Sequence, residues 1–185
     1  MATTSTDYEH KETTMIKIKQ TDEADTEVLA LLGRLTWAES HGQYVDDKND
    51  VSKYLDENFS VAKTSQNMSN PNIHYYILYS NDLPVGYVKL INNTEQKHVV
   101  SKNAVQLERI FILKDFIPLK VGQQLLTYVE EQAKALKFDT MWLSVYIKNN
   151  RAIRFYEKNE YKNVGDLNFK VNGKSYENIV FSKAL

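Results

Sequence analysis

Between residues 107 and 155 the chain reads LERIFILKDFIPLKVGQQLLTYVEEQAKALKFDTMWLSVYIKNNRAIRF, and the period of its apolar positions changes along the way. Residues 107–113 are apolar apart from the pair Glu108-Arg109, as a strand would be. Val121, Leu125, Val129, Ala133 and Leu136 then recur at helical spacing and predict a long amphipathic helix. Residues 141–146 form a second apolar run, short enough for a buried strand. Strand, crossover helix and strand make a βαβ unit with parallel strands. A short helix follows, opened by Asn149 or Asn150. Anions bind in such units where a loop meets a helix N-terminus, because unpaired N–H groups point outward there.

The flanking segments have their own periods. MIKIK at 15–19 alternates as a half-buried strand. Thr21 or Asp22 then caps a helix whose apolar face is Ala24, Val28, Leu31, Leu32 and Leu35. Residues 37–50, with Gly42 and three aspartates, predict a loop; Val51, Tyr54, Leu55 and Phe59 mark a second helix. A third short helix spans 60–68 and ends before Pro71. The β-rich runs 74–80 and 84–91 flank Asn81-Asp82 and predict a hairpin. A second hairpin pairs 162–171 with 178–182 through Asn172-Gly173. Residues 1–14 are polar and too poor in apolar side chains to pack, so they predict a flexible leader before a single domain at 15–185. The fold class is α/β, a mixed sheet flanked by helices.

Composition narrows the chemistry. With 23 basic and 24 acidic residues the net charge is −1, which supplies no field for nucleic acid or an anionic membrane. The absence of cysteine excludes thiolate catalysis, disulfides and cysteine-ligated metals. His10, His41, His74 and His98 show no metal-ligand spacing and predict solvated or core roles. No apolar run approaches the roughly 18 residues of a membrane span, and no signal sequence opens the chain, so a soluble, cytoplasmic protein is expected.

Three stretches carry a resemblance: LERIFILKDF, then G-x-x-L-L on the long helix, then WLSVYIKNNRAIRFYEKNEY. The last contains N-x-x-A-I-x-F-Y-x-K, with Asn149, Ala152, Ile153, Phe155, Tyr156 and Lys158. Together they resemble the Gcn5-related N-acetyltransferase (GNAT) superfamily. TWAES at 36–40, the pieces Tyr54-Leu55 and Phe59-Ser60, and SNPN at 69–72 resemble its PaiA-type polyamine acetyltransferase branch. The resemblance implies a single-domain, mostly antiparallel sheet whose two central strands splay at their C-terminal ends around acetyl-CoA. It implies acetyl transfer by direct attack of a primary amine on the thioester, with spermidine or spermine as candidate acceptors. A homodimer is a further implication.

The resemblance also assigns residues. The cofactor pyrophosphate falls to Ile117, Leu119, Lys120, Val121, Gly122 and Gln123. Family members usually have Gln or Arg, two variable residues, Gly, one variable residue, and Gly or Ala in this loop. Here only the final glycine, Gly122, survives, and Lys120 stands where the first glycine should be. A non-glycine residue held at positive φ there costs about 1–2 kcal/mol. Main-chain groups of Ile110, Phe111 and Ile112 would meet the pantetheine arm and thioester, unless they are spent on ordinary sheet pairing. Asn149 and Ala152 would contact the cofactor, although an Asn in this place also serves as an N-cap. Tyr156 would protonate the departing thiolate, because a phenol is a neutral donor at pH 7; packing in a core is its plain alternative. Glu108 would take the amine's proton or attract the amine, or else only pair with Arg109. For a polyamine, Glu39, Asp46, Asp47 and Asp50 are the candidate acidic wall, or simply solvated charges. The competing functions are acetylation of a protein amine or amino sugar, and a non-catalytic acyl-CoA-binding module with an altered phosphate loop.

Overall fold

The computed structural model describes residues 14–45 and 47–185; the expected leader lies outside them except for Thr14, as does Asp46. Seven strands form one mixed sheet in the order β1-β2-β3-β4-β5-β7-β6. The strands are β1 Ile16–Gln20, β2 Ile73–Ser80, β3 Leu83–Asn92, β4 Ala104–Ile112, β5 Thr140–Tyr146, β6 Lys162–Val171 and β7 Lys174–Ala184. The helices are α1 Thr26–His41, α2 Lys48–Phe59, α3 Val61–Met68, α4 Val121–Ala135 and α5 Asn150–Lys158. Only β4 and β5 pair in parallel; the other neighbours are antiparallel. This is the α/β fold expected from the sequence.

Both hairpins use the turn chemistry the sequence advertises. Asn81 and Asp82 take φ of 48° and 63°, and Asn172 and Gly173 take 46° and 83°. Positive φ at both central residues matches the strand twist, and Asn, Asp and Gly tolerate it best. β7, at 11 residues, outruns the expected 178–182, because it pairs with β5 on one side and β6 on the other.

The N-terminal helical region departs from expectation. Asp22 caps a short 3₁₀ turn, Glu23–Asp25, and α1 begins after it. α1 then runs through WAES to His41, where a loop was expected from residue 37. The packed face is Leu29, Leu32, Gly33, Thr36 and Trp37, not the one centred on Leu31 and Leu35, which are 57% and 46% exposed. Trp37 is the reason: its burial rotates the packed stripe and carries the helix one turn further. At Gly33 an added Cβ would lie 2.4 Å from Phe59, so the glycine lets α2 settle on α1.

The sheet is covered on both faces. α4 and α5 bury Val121, Leu125, Leu126, Val129, Ala133 and Tyr156 against Val105, Leu107, Met141, Leu143 and Val145. On the opposite face Leu29 and Leu32 of α1 pack on Tyr75, Ile77 and Tyr87, while Trp37, Tyr54, Leu55 and Phe59 form a separate aromatic cluster. No described helix is long and apolar enough to cross a membrane.

Candidate active site

The site begins where the parallel pair ends. β4 and β5 are joined only at Ala104–Thr140, Val105–Met141 and Gln106–Trp142. Beyond that rung β4 continues six residues paired with β3 alone, and β5 continues four paired with β7 alone. Ile110, Phe111 and Ile112 therefore have a strand on one edge and an open wedge on the other. The expected divergence is present, and the edge facing β5 is free of ordinary sheet pairing.

A bulge in β4 determines what faces this wedge. Lys89 pairs with Arg109 and Leu90 with Leu107, so Glu108 is the extra residue. Before the bulge the odd residues Val105 and Leu107 face α4; after it the even residues Ile110 and Ile112 do. One added residue reverses the alternation, which leaves Glu108 and Arg109 both on the α1–α2 side. Across the wedge, Ser144 and Tyr146 of β5 face the same way, while Leu143 and Val145 enter the core.

Two cavities meet here. The first, of about 100 Å³, lies between α1, α2, the strand ends and the β6–β7 hairpin; its polar lining includes His41, Glu108, Arg109, Ser144 and Asn178. Trp37 stacks on both His41 and Tyr54, with ring centroids 5.4 and 4.5 Å apart, and Phe111 meets His41 edge-on. The second cavity, about 360 Å³, opens between the C-terminal end of α1, Ile112, Ile117 and the start of α5, with Lys114, Lys148, Asn149 and Arg151 in its wall. Tyr44 lines both.

Charge in the first cavity is concentrated on β3 and β4. Glu108 forms an ion pair with Lys89, whose side chain is only 6% exposed, and stands 3.8 Å from Arg109. The guanidinium of Arg109 lies 4.4 Å above the Phe59 ring. Burial lowers the pKa of Lys89, and the Glu108 carboxylate opposes that shift. His41 is pushed down to about 4, first by loss of solvent and then by the Arg109 charge, so its ring is neutral at pH 7. Its Nδ1 lies 2.7 Å from the Ser40 hydroxyl.

The loop before α4 is a 3₁₀ turn, Lys114–Leu119, closed by Lys120 at φ 57°, ψ 18°. Lys120 thus adopts the left-handed conformation that glycine takes at no steric cost. The peptides of Val121 and Gly122 open α4, and a Cβ on Gly122 would lie 3.2 Å from the Ile112 side chain, so the helix start sits close against the end of β4. Leu119 is half exposed, Val121 is buried, and the Gln123 amide donates to Asn159 at 2.6 Å. Asn149 caps α5 by accepting from the Ala152 N–H at 3.1 Å and also lines the second cavity. Ala152 packs at the edge of the main core.

Tyr156 lines neither cavity. Its ring packs against Phe155, Tyr161 and Phe181 on the α4–α5 side, and burial raises its pKa, which keeps it a neutral phenol. The acidic wall considered in the sequence is dispersed. Asp47 caps α2, Asp50 pairs with Lys174, and Glu39 accepts from the Lys114 N–H. Of these only Glu39 borders a cavity, the second one. His41, Arg109, Ser144, Tyr146 and Tyr176 were not singled out as site residues by sequence. Arg109 was visible as the neighbour of Glu108, but the bulge that turns both inward leaves no mark in an apolar run. Among the described residues no group of three His, Asp or Glu could hold a metal ion.

The model of the acetyltransferase (GNAT) family matches residues 34–161. An uncharacterised N-acetyltransferase encoded in the pepI 3′ region of Lactobacillus delbrueckii subsp. lactis is 29% identical over 77% of this chain and 82% of its own. The aminoalkylphosphonate N-acetyltransferase of Salmonella typhimurium is 32% identical over 52% of this chain and 61% of its own. Among solved structures, the PaiA N-acetyltransferase of Thermoplasma acidophilum in complex with coenzyme A superposes with a TM-score of 0.70, at 19% identity, over 92% of this chain and 99% of its own. The ribosomal-protein-S18-alanine N-acetyltransferase of Escherichia coli gives 0.64 at 14% identity, over 92% and 94%. The family match spans the splayed strands, the α4 loop and the Asn149–Tyr156 helix, and the chain belongs to the GNAT family of acetyl-CoA-dependent N-acetyltransferases.

Proposed function

We propose that the chain acetylates a small primary amine held in the first cavity, with acetyl-CoA entering through the second and reaching it across the β4–β5 wedge. The observation that carries this reading is the end of pairing at Gln106–Trp142, with cavities that adjoin at Tyr44. The residues present fit the cofactor. The N-terminus of α4 offers outward N–H groups to a pyrophosphate, Lys120 adds a point charge, and Lys114, Lys148 and Arg151 surround the second cavity. Leu119, Val121 and Gly122 contribute backbone around this helix start, while the Gln123 N–H is spent on the Lys120 carbonyl, and Ile117 and Asn149 wall the second cavity. Ile110, Phe111 and Ile112 present their unpaired edge to the pantetheine arm and to the carbonyl to be polarised.

Acetyl-CoA supplies the acetyl group already activated as a thioester. Glu108 is the carboxylate of the acceptor cavity and serves to draw in the ammonium form and accept its proton. Tyr156, kept a neutral phenol by burial, is assigned as the proton donor for the leaving sulfur from its place on α5; it lines neither cavity. Ala152 lies on the same helix one turn earlier.

The acceptor class has two supports. Likeness to the PaiA enzyme favours polyamines such as spermidine, and identity with the aminoalkylphosphonate enzyme favours an amine with an anionic end. Measuring thiol release from acetyl-CoA with spermidine, 2-aminoethylphosphonate, an N-terminal peptide and an amino sugar tests the proposal. Turnover with a small amine supports it; turnover with the peptide alone would overturn it.

A further inference from the structure

The acceptor cavity is lined by one carboxylate, Glu108, and one guanidinium, Arg109. Lys89 is matched by Glu108, but the closest carboxylate oxygen to Arg109 among the described residues stands at 3.8 Å, beyond hydrogen-bonding distance. One face of the Arg109 guanidinium is taken by Phe59. The phenols of Tyr87, Tyr75 and Tyr54 also lie near it. A guanidinium carries five donors in a rigid plane, and its edge matches a carboxylate or phosphonate in two parallel hydrogen bonds. We propose that Arg109 anchors an anionic group on the acceptor, so that the preferred substrates are short primary amines ending in a carboxylate or phosphonate. The inference rests on the first cavity being the acceptor site.

Four observations support it. None of Glu39, Asp47 and Asp50 lines this cavity, so among the described residues a dication would find a carboxylate for one end only, at Glu108. His41 is neutral at pH 7 and adds neither attraction nor repulsion. Much of the remaining wall is aromatic, from Trp37, Tyr54, Phe111, Tyr146 and Tyr176, and such a wall strengthens an ion pair by excluding water. A cavity of about 100 Å³ also suits a short molecule better than an extended polyamine. Glu108 and Arg109, adjacent through the bulge, would then hold the two ends of a zwitterion.

The test compares ligands with one amine and different tails. 2-Aminoethylphosphonate, β-alanine, propylamine and 1,3-diaminopropane are titrated calorimetrically into the protein saturated with coenzyme A, and each is assayed for thiol release with acetyl-CoA. The expected result is at least tenfold tighter binding of a phosphonate or carboxylate amine than of propylamine, with kcat/KM in the same order; whichever of the two anions leads identifies the source. Arg109→Lys keeps the charge but loses the fork, and is expected to raise KM for the anionic amine tenfold or more while leaving acetyl-CoA affinity unchanged. Equal or better binding of propylamine or diaminopropane overturns the anchor, as does selectivity that survives Arg109→Lys and Arg109→Gln. Because the ligand comparison uses the unaltered protein, it stands even where a variant fails to fold. Selective binding of the anionic amine without turnover of any amine would uphold the anchor and overturn the acetyl-transfer reading.

Discussion

Gln106 and Trp142 face each other across the last parallel rung between β4 and β5, and the residues proposed to face the cofactor lie beyond it. Up to that rung the sheet spends its backbone groups on itself. Past it the two strands pair outward only, and the gap between them is the one place in the sheet's centre where main-chain groups are left for a ligand.

Lys89 and Glu108 form a buried ion pair whose loss is unequal on its two sides. Glu108→Ala leaves Lys89, 6% exposed, without its counter-charge and is expected to destabilise by roughly 2–4 kcal/mol, somewhat below the cost for a fully buried pair because Glu108 is 29% exposed. The double variant Lys89→Met/Glu108→Gln is expected to regain most of that. Denaturant midpoints measure both, and a neutral Glu108→Ala would show that the pair contributes nothing.

Lys120 occupies the left-handed region, so Lys120→Gly removes a steric cost of about 1–2 kcal/mol against a glycine entropy penalty of roughly 0.5–1 kcal/mol. The net expectation is a small gain in stability, absent in Lys120→Ala, together with weaker acetyl-CoA binding because the point charge is lost. An unfolding midpoint that falls in Lys120→Gly contradicts the strain argument.

Asn149 caps α5 while bordering the second cavity, the proposed cofactor channel. Asn149→Ala is expected to cost about 1 kcal/mol, which lowers Tm by roughly 2–4 °C in a domain of this size. Asn149→Asp preserves the cap but places a negative charge in the channel, so it should keep Tm and raise the acetyl-CoA KM. If Asn149→Asp leaves KM unchanged, the residue is only a cap.

His41 makes stability depend on pH. In the unfolded chain it takes up a proton near pH 6.5, but the native ring resists until about 4. Unfolding therefore binds a proton in that window, and stability falls as pH drops from about 6.5 to 4, by at most roughly 3 kcal/mol and less to the extent that the ring edge meets solvent. His41→Gln should flatten this part of the profile in urea titrations; an unchanged slope would assign it to other groups.

Much of the fold could be read from residue periods. The α4 stripe of Val121, Leu125, Val129 and Ala133 and the turns at Asn81-Asp82 and Asn172-Gly173 are local signals, and each is realised. The left-handed strain at Lys120 was legible because a lysine stood at a glycine's place. The end of α1 was not legible. WAES looks polar, and only the tertiary burial of Trp37 extends the helix through it. The first cavity was the least legible part, since Arg109, His41 and Ser144 come from three elements and meet through a one-residue bulge. The resemblance to polyamine enzymes made Glu39, Asp46, Asp47 and Asp50 a candidate acidic wall, whereas Asp47 and Asp50 are spent on a cap and an ion pair.

Titration of acetyl-CoA into the purified protein and into Tyr156→Phe, followed by thiol release with the best amine, tests the central claim most directly. The account predicts binding near micromolar in both proteins, with kcat reduced at least tenfold in the variant and KM for acetyl-CoA little changed. Absence of acetyl-CoA binding to the unaltered protein would contradict the placement of the cofactor in the β4–β5 wedge, and an unchanged kcat in Tyr156→Phe would remove that residue from the chemistry.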